Sequence, residues 1–251
     1  MDPQMWSAIN GTVRDLFNVL LPPCCPLCKE ETGDIPAAFC PTCAAGIRPI
    51  TSPCCPCCAL PYPGEIIHDH LCEECLRKKP SYERVLAGAH YDGSLREAIH
   101  RFKYRGDIGL ESALARTVGE SFARDILDFS PDLMIPVPLH VGRLRERTYN
   151  QAQLLALRLG KMLTIPVDSR LLQRTRATDS QQRLSGRARR ANLRGAFEGA
   201  DELAQRRILL IDDVMTTGAT VEECSREMMR CGAESVLVAV LARSAGQTTV
   251  S

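Results

Sequence analysis

The chain has 251 residues and a mass of 27.7 kDa, 45% apolar, 24% charged and 5% aromatic, a globular composition long enough for one full domain and a smaller appendage. Lys and Arg number 31 against 30 Asp and Glu, a net charge of +1, which excludes a uniformly basic nucleic-acid coat protein and a supercharged disordered tail. No run approaches the ~20 apolar residues that an integral membrane segment needs, and Met1-Asp2 opens without the basic stretch of a secretion signal, so a soluble cytoplasmic protein is expected.

In residues 1–23, Trp6, Ile9, Val13, Phe17 and Leu20 recur at helical spacing. An amphipathic helix is expected there, closed by Pro22-Pro23.

Residues 24–80 are expected to form a small cysteine-rich domain. Eleven of the 13 cysteines lie between Cys24 and Cys75. Four Cys-x-x-Cys pairs can be read: Cys25/Cys28, Cys40/Cys43, Cys55/Cys58 and Cys72/Cys75. Each pair offers two thiolates and two pairs complete a tetrahedral site, so two structural zinc ions are expected. A disulfide scaffold fits poorly with a chain lacking a secretion signal, and an iron–sulfur cluster is the other metal alternative. Successive pairs are separated by 11, 11 and 13 residues. That spacing permits sequential ribbons or a cross-braced arrangement. His68 and His70 lie between knuckles, but eight well-spaced cysteines leave them as exposed loop residues.

After Pro80 strands and helices alternate, so residues 81–251 are expected to form a larger α/β domain, with a mainly parallel central sheet and flanking helices. Strands are predicted near 84–91, 132–137, 207–213 and 235–242, and helices near 94–104, 108–128, 149–163 and 219–231. Lys103, Arg105 and Asp107 follow the apolar face of Leu95, Ile99 and Phe102, either as a solvated helix end or facing a site. Residues 174–192 hold six Arg and little apolar periodicity, the composition of a functional loop. They lie in a basic block: residues 139–195 carry 13 basic and 3 acidic side chains, an excess of +10. Such a block can track single-stranded DNA, although Tyr149 is the only aromatic in it available for base stacking.

The segment from Ile208 to Thr220 reads Ile-Leu-Leu-Ile-Asp-Asp-Val-Met-Thr-Thr-Gly-Ala-Thr. Four aliphatics make a buried strand, and ligands of open α/β sheets bind where such strands end. Thr216, Thr217, Gly218, Ala219 and Thr220 then form a small hydroxyl-rich turn opening a helix, whose backbone N–H groups suit a phosphate. Asp212 and Asp213 would repel phosphate but suit sugar hydroxyls. A magnesium-binding strand of a nucleotide hydrolase is disfavoured, because no Gly-x-x-x-x-Gly-Lys-[Ser/Thr] loop exists.

This segment resembles the phosphoribosyl pyrophosphate (PRPP) signature of type I phosphoribosyltransferases at every position. The chain as a whole resembles the ComF family of competence proteins, in which such a domain follows amino-terminal Cys-x-x-Cys knuckles. Further segments carry the likeness: Phe102-Lys-Tyr-Arg-Gly-Asp107; Ile135-Pro-Val-Pro-Leu-His140 through Arg143, Arg147 and Asn150-Gln151; and Arg174 through Gln181, Leu184, Arg189, Asn192 and Ala196-Phe197. One position departs: Thr148 stands where the family pattern has a glycine.

The resemblance implies a type I phosphoribosyltransferase fold preceded by a zinc-binding module, and PRPP bound with magnesium. Thr216 to Thr220 would hold the 5-phosphate. The turn containing Pro138, Leu139 and His140 would hold pyrophosphate with Arg143 or Arg147. Asp212 and Asp213 would grip the ribose hydroxyls and favour the cationic ring of the transition state, while arginines favour the leaving group. The 174–192 loop would close over the site. Two function classes follow. The first is transfer of phosphoribose to an unidentified acceptor. The second is a non-catalytic DNA-handling or interaction protein, partnered by single-stranded DNA and DNA-uptake proteins, in which the same pocket senses a ligand.

Overall fold

The computed structural model describes residues 22–32, 38–62, 67–176 and 192–244. The expected amino-terminal helix and most of the 174–192 loop lie outside them. The described part is organised on four strands, β1 (Val85–His90), β2 (Leu133–Pro136), β5 (Arg207–Met215) and β6 (Ser235–Arg243). They pair in the order β1-β6-β5-β2, all parallel. A separate antiparallel pair joins β3 (Leu172–Arg174) to β4 (Phe197–Gly199).

The central strands are apolar on both faces because both faces are covered. Ile208 and Leu210 of β5, with Val236, Val238 and Val240 of β6, enter one core; Leu209 and Ile211, with Leu237, Ala239 and Leu241, enter the other. On the second face lie α3 (Gly93–Tyr104), α4 (Glu111–Phe129) and α6 (Gln151–Leu163). Their stripes explain the helices: Leu95, Ile99 and Phe102 of α3 are fully buried, each worth roughly 1.5–3 kcal/mol. On the first face lies α7 (Ala219–Arg230), through Val221, Cys224 and Met228.

The cysteine segment is a structural repeat. Cys24 bridges Glu31, and thirty residues on Cys54 bridges Pro61. Each half then adds one turn of helix after its third knuckle cysteine, α1 (Pro41–Ala45) and α2 (Glu73–Arg77). The halves dock on opposite faces of the sheet. Cys25, Cys40 and Cys43 share a core with α3 and α4, whereas Cys55, Cys58, Cys72 and Cys75 share one with Val85, Val238 and α7. The first half also approaches α3 by backbone: Gly93 has φ +49°, and a Cβ there would lie 2.4 Å from the Gly46 carbonyl oxygen.

Among the described residues, the strands and long helices expected after Pro80 are present, with shifted ends. β5 runs two residues past its predicted end because Val214 and Met215 stay in register with Ala242 and Arg243. Residues 108–110 form a 3-10 turn before α4, and α6 starts at Gln151 because the Asn150 side chain accepts from the Ala152 N–H at 3.0 Å. The helix α5 (Val141–Arg147) was not foreseen; it buries no residue and so shows no apolar period.

α5 ends at Thr148, which takes the left-handed conformation, φ +67°, and donates its N–H to the Leu144 carbonyl at 2.8 Å. The turn is therefore kept although a β-branched residue has replaced glycine, and such a residue is strained there. Thr148→Gly should stabilise the protein by about 1 kcal/mol in urea unfolding, strain relief exceeding the added freedom of the unfolded chain. A loss of stability would show that Thr148 makes contacts worth more than its strain.

Candidate functional site

β2 and β5 are neighbours, with Pro136 opposite Ile211, so the loops leaving their carboxyl ends emerge side by side. Between them and the end of α3 opens a cleft of about 990 Å³. Of the residues singled out by sequence, Pro138, Leu139, His140, Arg143, Arg147, Asp212, Asp213, Thr216 and Thr220 line it. Thr217, Gly218 and Ala219 are not among the lining residues and shape the turn. Gly218 has φ +76° and is the N-cap of α7, while Thr217 Oγ1 accepts the Ala219 N–H at 3.4 Å. A side chain at Gly218 would be strained by its backbone angle and would meet Met215 Cε at 2.6 Å, so the conformational demand is met before any ligand is considered.

The two aspartates lie inside β5, and adjacent strand residues point to opposite faces. Asp213 is buried and pairs with Lys103 Nζ at 2.8 Å, brought in by α3. Asp212 acts on the other side, its charge raising the thiol of Cys224 on α7, whose own burial is the larger cause. Burial, then the charge of Asp213, pushes the Asp212 carboxyl up to about 7, with Lys103 opposing. Burial also works against the Lys103 charge, but Asp213 and then Asp212 outweigh it and hold the ammonium above its usual value. Lys103, read from sequence as either a helix end or a site residue, is thus a member of the cleft.

Arginines also line the cleft. Arg147 lies over the Tyr104 ring at 4.8 Å and donates to Gln151 Oε1 at 3.3 Å. Arg174, brought in by β3, is held below the usual guanidinium value by burial and by neighbouring Arg143. His140 caps α5, its Nδ1 accepting from the Gly142 N–H at 3.2 Å, so its ring serves the turn that borders the cleft. Asn150 Nδ2 fastens the same turn by donating to the Val137 carbonyl at 3.0 Å. Arg105 caps the end of α3, and Asp107 pairs with Arg101 at 2.5 Å.

Away from the cleft the knuckles assemble in sequence, not cross-braced: Cys25, Cys28, Cys40 and Cys43 form one cluster, Cys55, Cys58, Cys72 and Cys75 the other. Within each, all sulfurs lie within 4.8 Å of one another, with Cys28 to Cys40 at 3.5 Å and Cys58 to Cys72 at 3.6 Å. Zinc with ~2.3 Å sulfur bonds needs sulfurs roughly 3.8 Å apart, so both sites fit it. The Cys43 and Cys72 N–H groups also donate to Cys40 and Cys55 sulfurs at 3.5 and 3.4 Å, and the latter bond helps to lower the Cys55 thiol. Burial and the neighbouring Cys55 push the Cys58 thiol up to about 12, a repulsion that a divalent cation relieves. His70 stacks on Tyr62 at 4.2 Å, and both it and His68 are exposed outside the clusters.

A parallel sheet with an acid pair and a Thr-Thr-Gly turn at one strand end, beside a basic loop at the next, defines a phosphoribosyltransferase domain. Family models agree: a phosphoribosyl transferase domain matches residues 152–251 and a double zinc ribbon domain residues 16–76. Competence protein F of Haemophilus influenzae is 37% identical over 180 residues, 69% of this chain and 78% of that one. DNA utilization protein YhgH of Salmonella typhimurium is 33% identical over 233 residues, 89% of this chain and 98% of its own length. Competence protein ComFC of Bacillus subtilis is 31% identical over 61% of this chain and 62% of its own. The chain belongs to the ComF family of competence and DNA utilization proteins. Among the described residues no helix is long and apolar enough to cross a membrane.

The raised Asp212 carboxyl has a consequence for stability. Its folded value lies above the 3.8 of the free group, so the unfolded chain gives up this proton first and folding loses stability as pH rises from about 4 to about 7. Asp212→Asn removes the charge and should stabilise the protein more at pH 8 than at pH 5, by roughly 2–3 kcal/mol in urea unfolding. An equal effect at both pH values would mean that Asp212 is not the group held neutral.

Proposed function

We propose that the cleft binds PRPP with magnesium and that the protein transfers phosphoribose to an acceptor in the service of DNA uptake or utilization. The observation that carries this reading is the meeting in one cleft of two anion-suited turns, Pro138–Gly142 and Thr216–Thr220, with an acid pair between them. In it, Thr216 and Thr220 hydroxyls and the α7 amides hold the 5-phosphate. Asp212 and Asp213 accept from the ribose hydroxyls, and the ion pair with Lys103 orients Asp213. Arg143 and Arg147 hold pyrophosphate, with Arg174 deepening the positive field. As the bond from the anomeric carbon to pyrophosphate oxygen breaks, the ring gains positive charge near the carboxylates and the leaving group gains negative charge near the arginines. Magnesium, when bound, neutralises part of the pyrophosphate charge; the cleft aspartates are hard oxygen donors suited to it.

The basic excess of residues 139–195, in a chain whose relatives are named for competence and DNA utilization, favours a second reading, in which single-stranded DNA is held by residues 143–194 and the cleft serves as a sensor. Pyrophosphate release on addition of acceptors separates the two readings.

Titration calorimetry tests the cleft itself. Asp213→Asn should weaken PRPP roughly 10- to 100-fold, the loss of a charged hydrogen bond of about 1.5–3 kcal/mol. Arg147→Ala should weaken inorganic pyrophosphate and spare ribose 5-phosphate, and Thr220→Val should do the reverse. Absence of PRPP binding by the unmodified protein with magnesium present would end this reading.

A further inference from the structure

The second cysteine site and the turn that opens α7 are joined by one side chain. Arg243, the last residue of β6, is buried at 5% exposure. Its Nε donates to the carbonyl of Cys58, itself one of the four clustered cysteines, at 3.1 Å. Its Nη1 donates to the carbonyls of Met215 at 3.1 Å, Ser244 at 2.9 Å and Thr216. A rigid planar guanidinium therefore spans the cysteine ribbon and the two residues that lead β5 into Thr217 and Gly218. No carboxylate is among these acceptors, so the charge is spread over backbone oxygens, a use suited to the five-donor fork of Arg and not to the point charge of Lys.

A second link runs in parallel. Glu222 on the first turn of α7 accepts from the Ser81 N–H at 2.9 Å, from Ser81 Oγ at 3.3 Å and from Lys78 Nζ at 3.3 Å, on the chain just after Cys75. Tyr82 follows, buried in the core that holds all four cysteines of the second cluster, its hydroxyl 3.9 Å from where a Gly218 side chain would begin. The first cysteine site is wired elsewhere: Arg101 donates to the Leu27 carbonyl at 2.6 Å and pairs with Asp107, both beside α3.

We infer that Arg243 is a positioning residue which couples the second cysteine site to the Thr216–Thr220 turn, so that metal loading there sets the affinity of the turn for a 5-phosphate. Coupling between two sites is reciprocal: if the loaded site favours the ligand-binding shape of the turn, a ligand on the turn must favour retention of the metal. The inference rests on the proposal that this turn holds a sugar phosphate.

The test uses the full chain with both sites loaded with zinc. Zinc release to a chromogenic chelator, started by a thiol-blocking reagent, is followed with and without saturating ribose 5-phosphate, and with inorganic pyrophosphate as control. Ribose 5-phosphate should slow the release of one of the two zinc ions severalfold and pyrophosphate should not. In Cys28→Ser, which lacks a ligand of the first site, the remaining zinc should still be protected. In Arg243→Lys, ribose 5-phosphate should bind about tenfold more weakly with pyrophosphate affinity unchanged, and saturating ligand should no longer protect zinc. Binding by the unmodified protein without protection of either zinc overturns the coupling alone. So does Arg243→Lys binding ribose 5-phosphate as tightly as the unmodified chain. Should Arg243→Lys not fold, the protection measured on the unmodified chain and on Cys28→Ser decides. Absence of any ribose 5-phosphate binding overturns the reading of the turn, and the coupling with it.

Discussion

The structure depends on the pairing of β5 on both sides. Because β2 and β6 flank it in parallel register, its aliphatic residues are driven alternately into two cores, and the strand is held until Met215. Parallel pairing puts the carboxyl ends of neighbouring strands together, so the loops after β2 and β5 must share one edge. Two acids that would be solvated in a loop are instead fixed in the last part of a buried strand. They are kept there by what the rest of the fold supplies: Lys103 from α3 on one side, the Arg174 end of β3 on the other.

Burying carboxylates carries a desolvation cost, and the fold meets it unequally. Asp213 has an ammonium at 2.8 Å, while the Asp212 carboxyl is pushed up to about 7. The cleft thus holds one acid paired with an ammonium and one whose ionised form is disfavoured by burial and by its neighbour. A ligand bringing hydroxyl donors, or a cation, relieves Asp212, so stability sacrificed in the free protein returns as binding. The cysteine ribbons bear on the same region from opposite faces of the sheet. The first reaches α3, which carries Lys103, and the second reaches the turn before α7.

Much of this was legible in the sequence because it is written in local patterns. The run Ile208–Ile211 can only be a two-sided buried strand, the helices announce themselves by stripes such as Leu95, Ile99 and Phe102, and Cys-x-x-Cys pairs state their chemistry by spacing. What stayed hidden depends on chain separation. Pairing of the knuckles turns on how each half docks, and α5 has no buried face to betray it. The sequence left Lys103 open between a helix end and a site residue, and Arg174 one arginine among six; only the docking of α3 and of β3 brings them to the cleft. Arg243 is hidden for the same reason, since its partners, from Cys58 to Thr216, are scattered along the sequence.

Whether one cleft serves two anions with a sugar between them is decided by a crystal structure of the full chain grown with PRPP and magnesium. Pyrophosphate density is expected against Pro138–Gly142 and Arg147, ribose hydroxyls within hydrogen-bond reach of Asp212 and Asp213, and the 5-phosphate on the amides of Thr217 to Thr220. Density for the ligand in another place, or a 5-phosphate lying away from the α7 turn while the acid pair keeps only Lys103 for company, would contradict it.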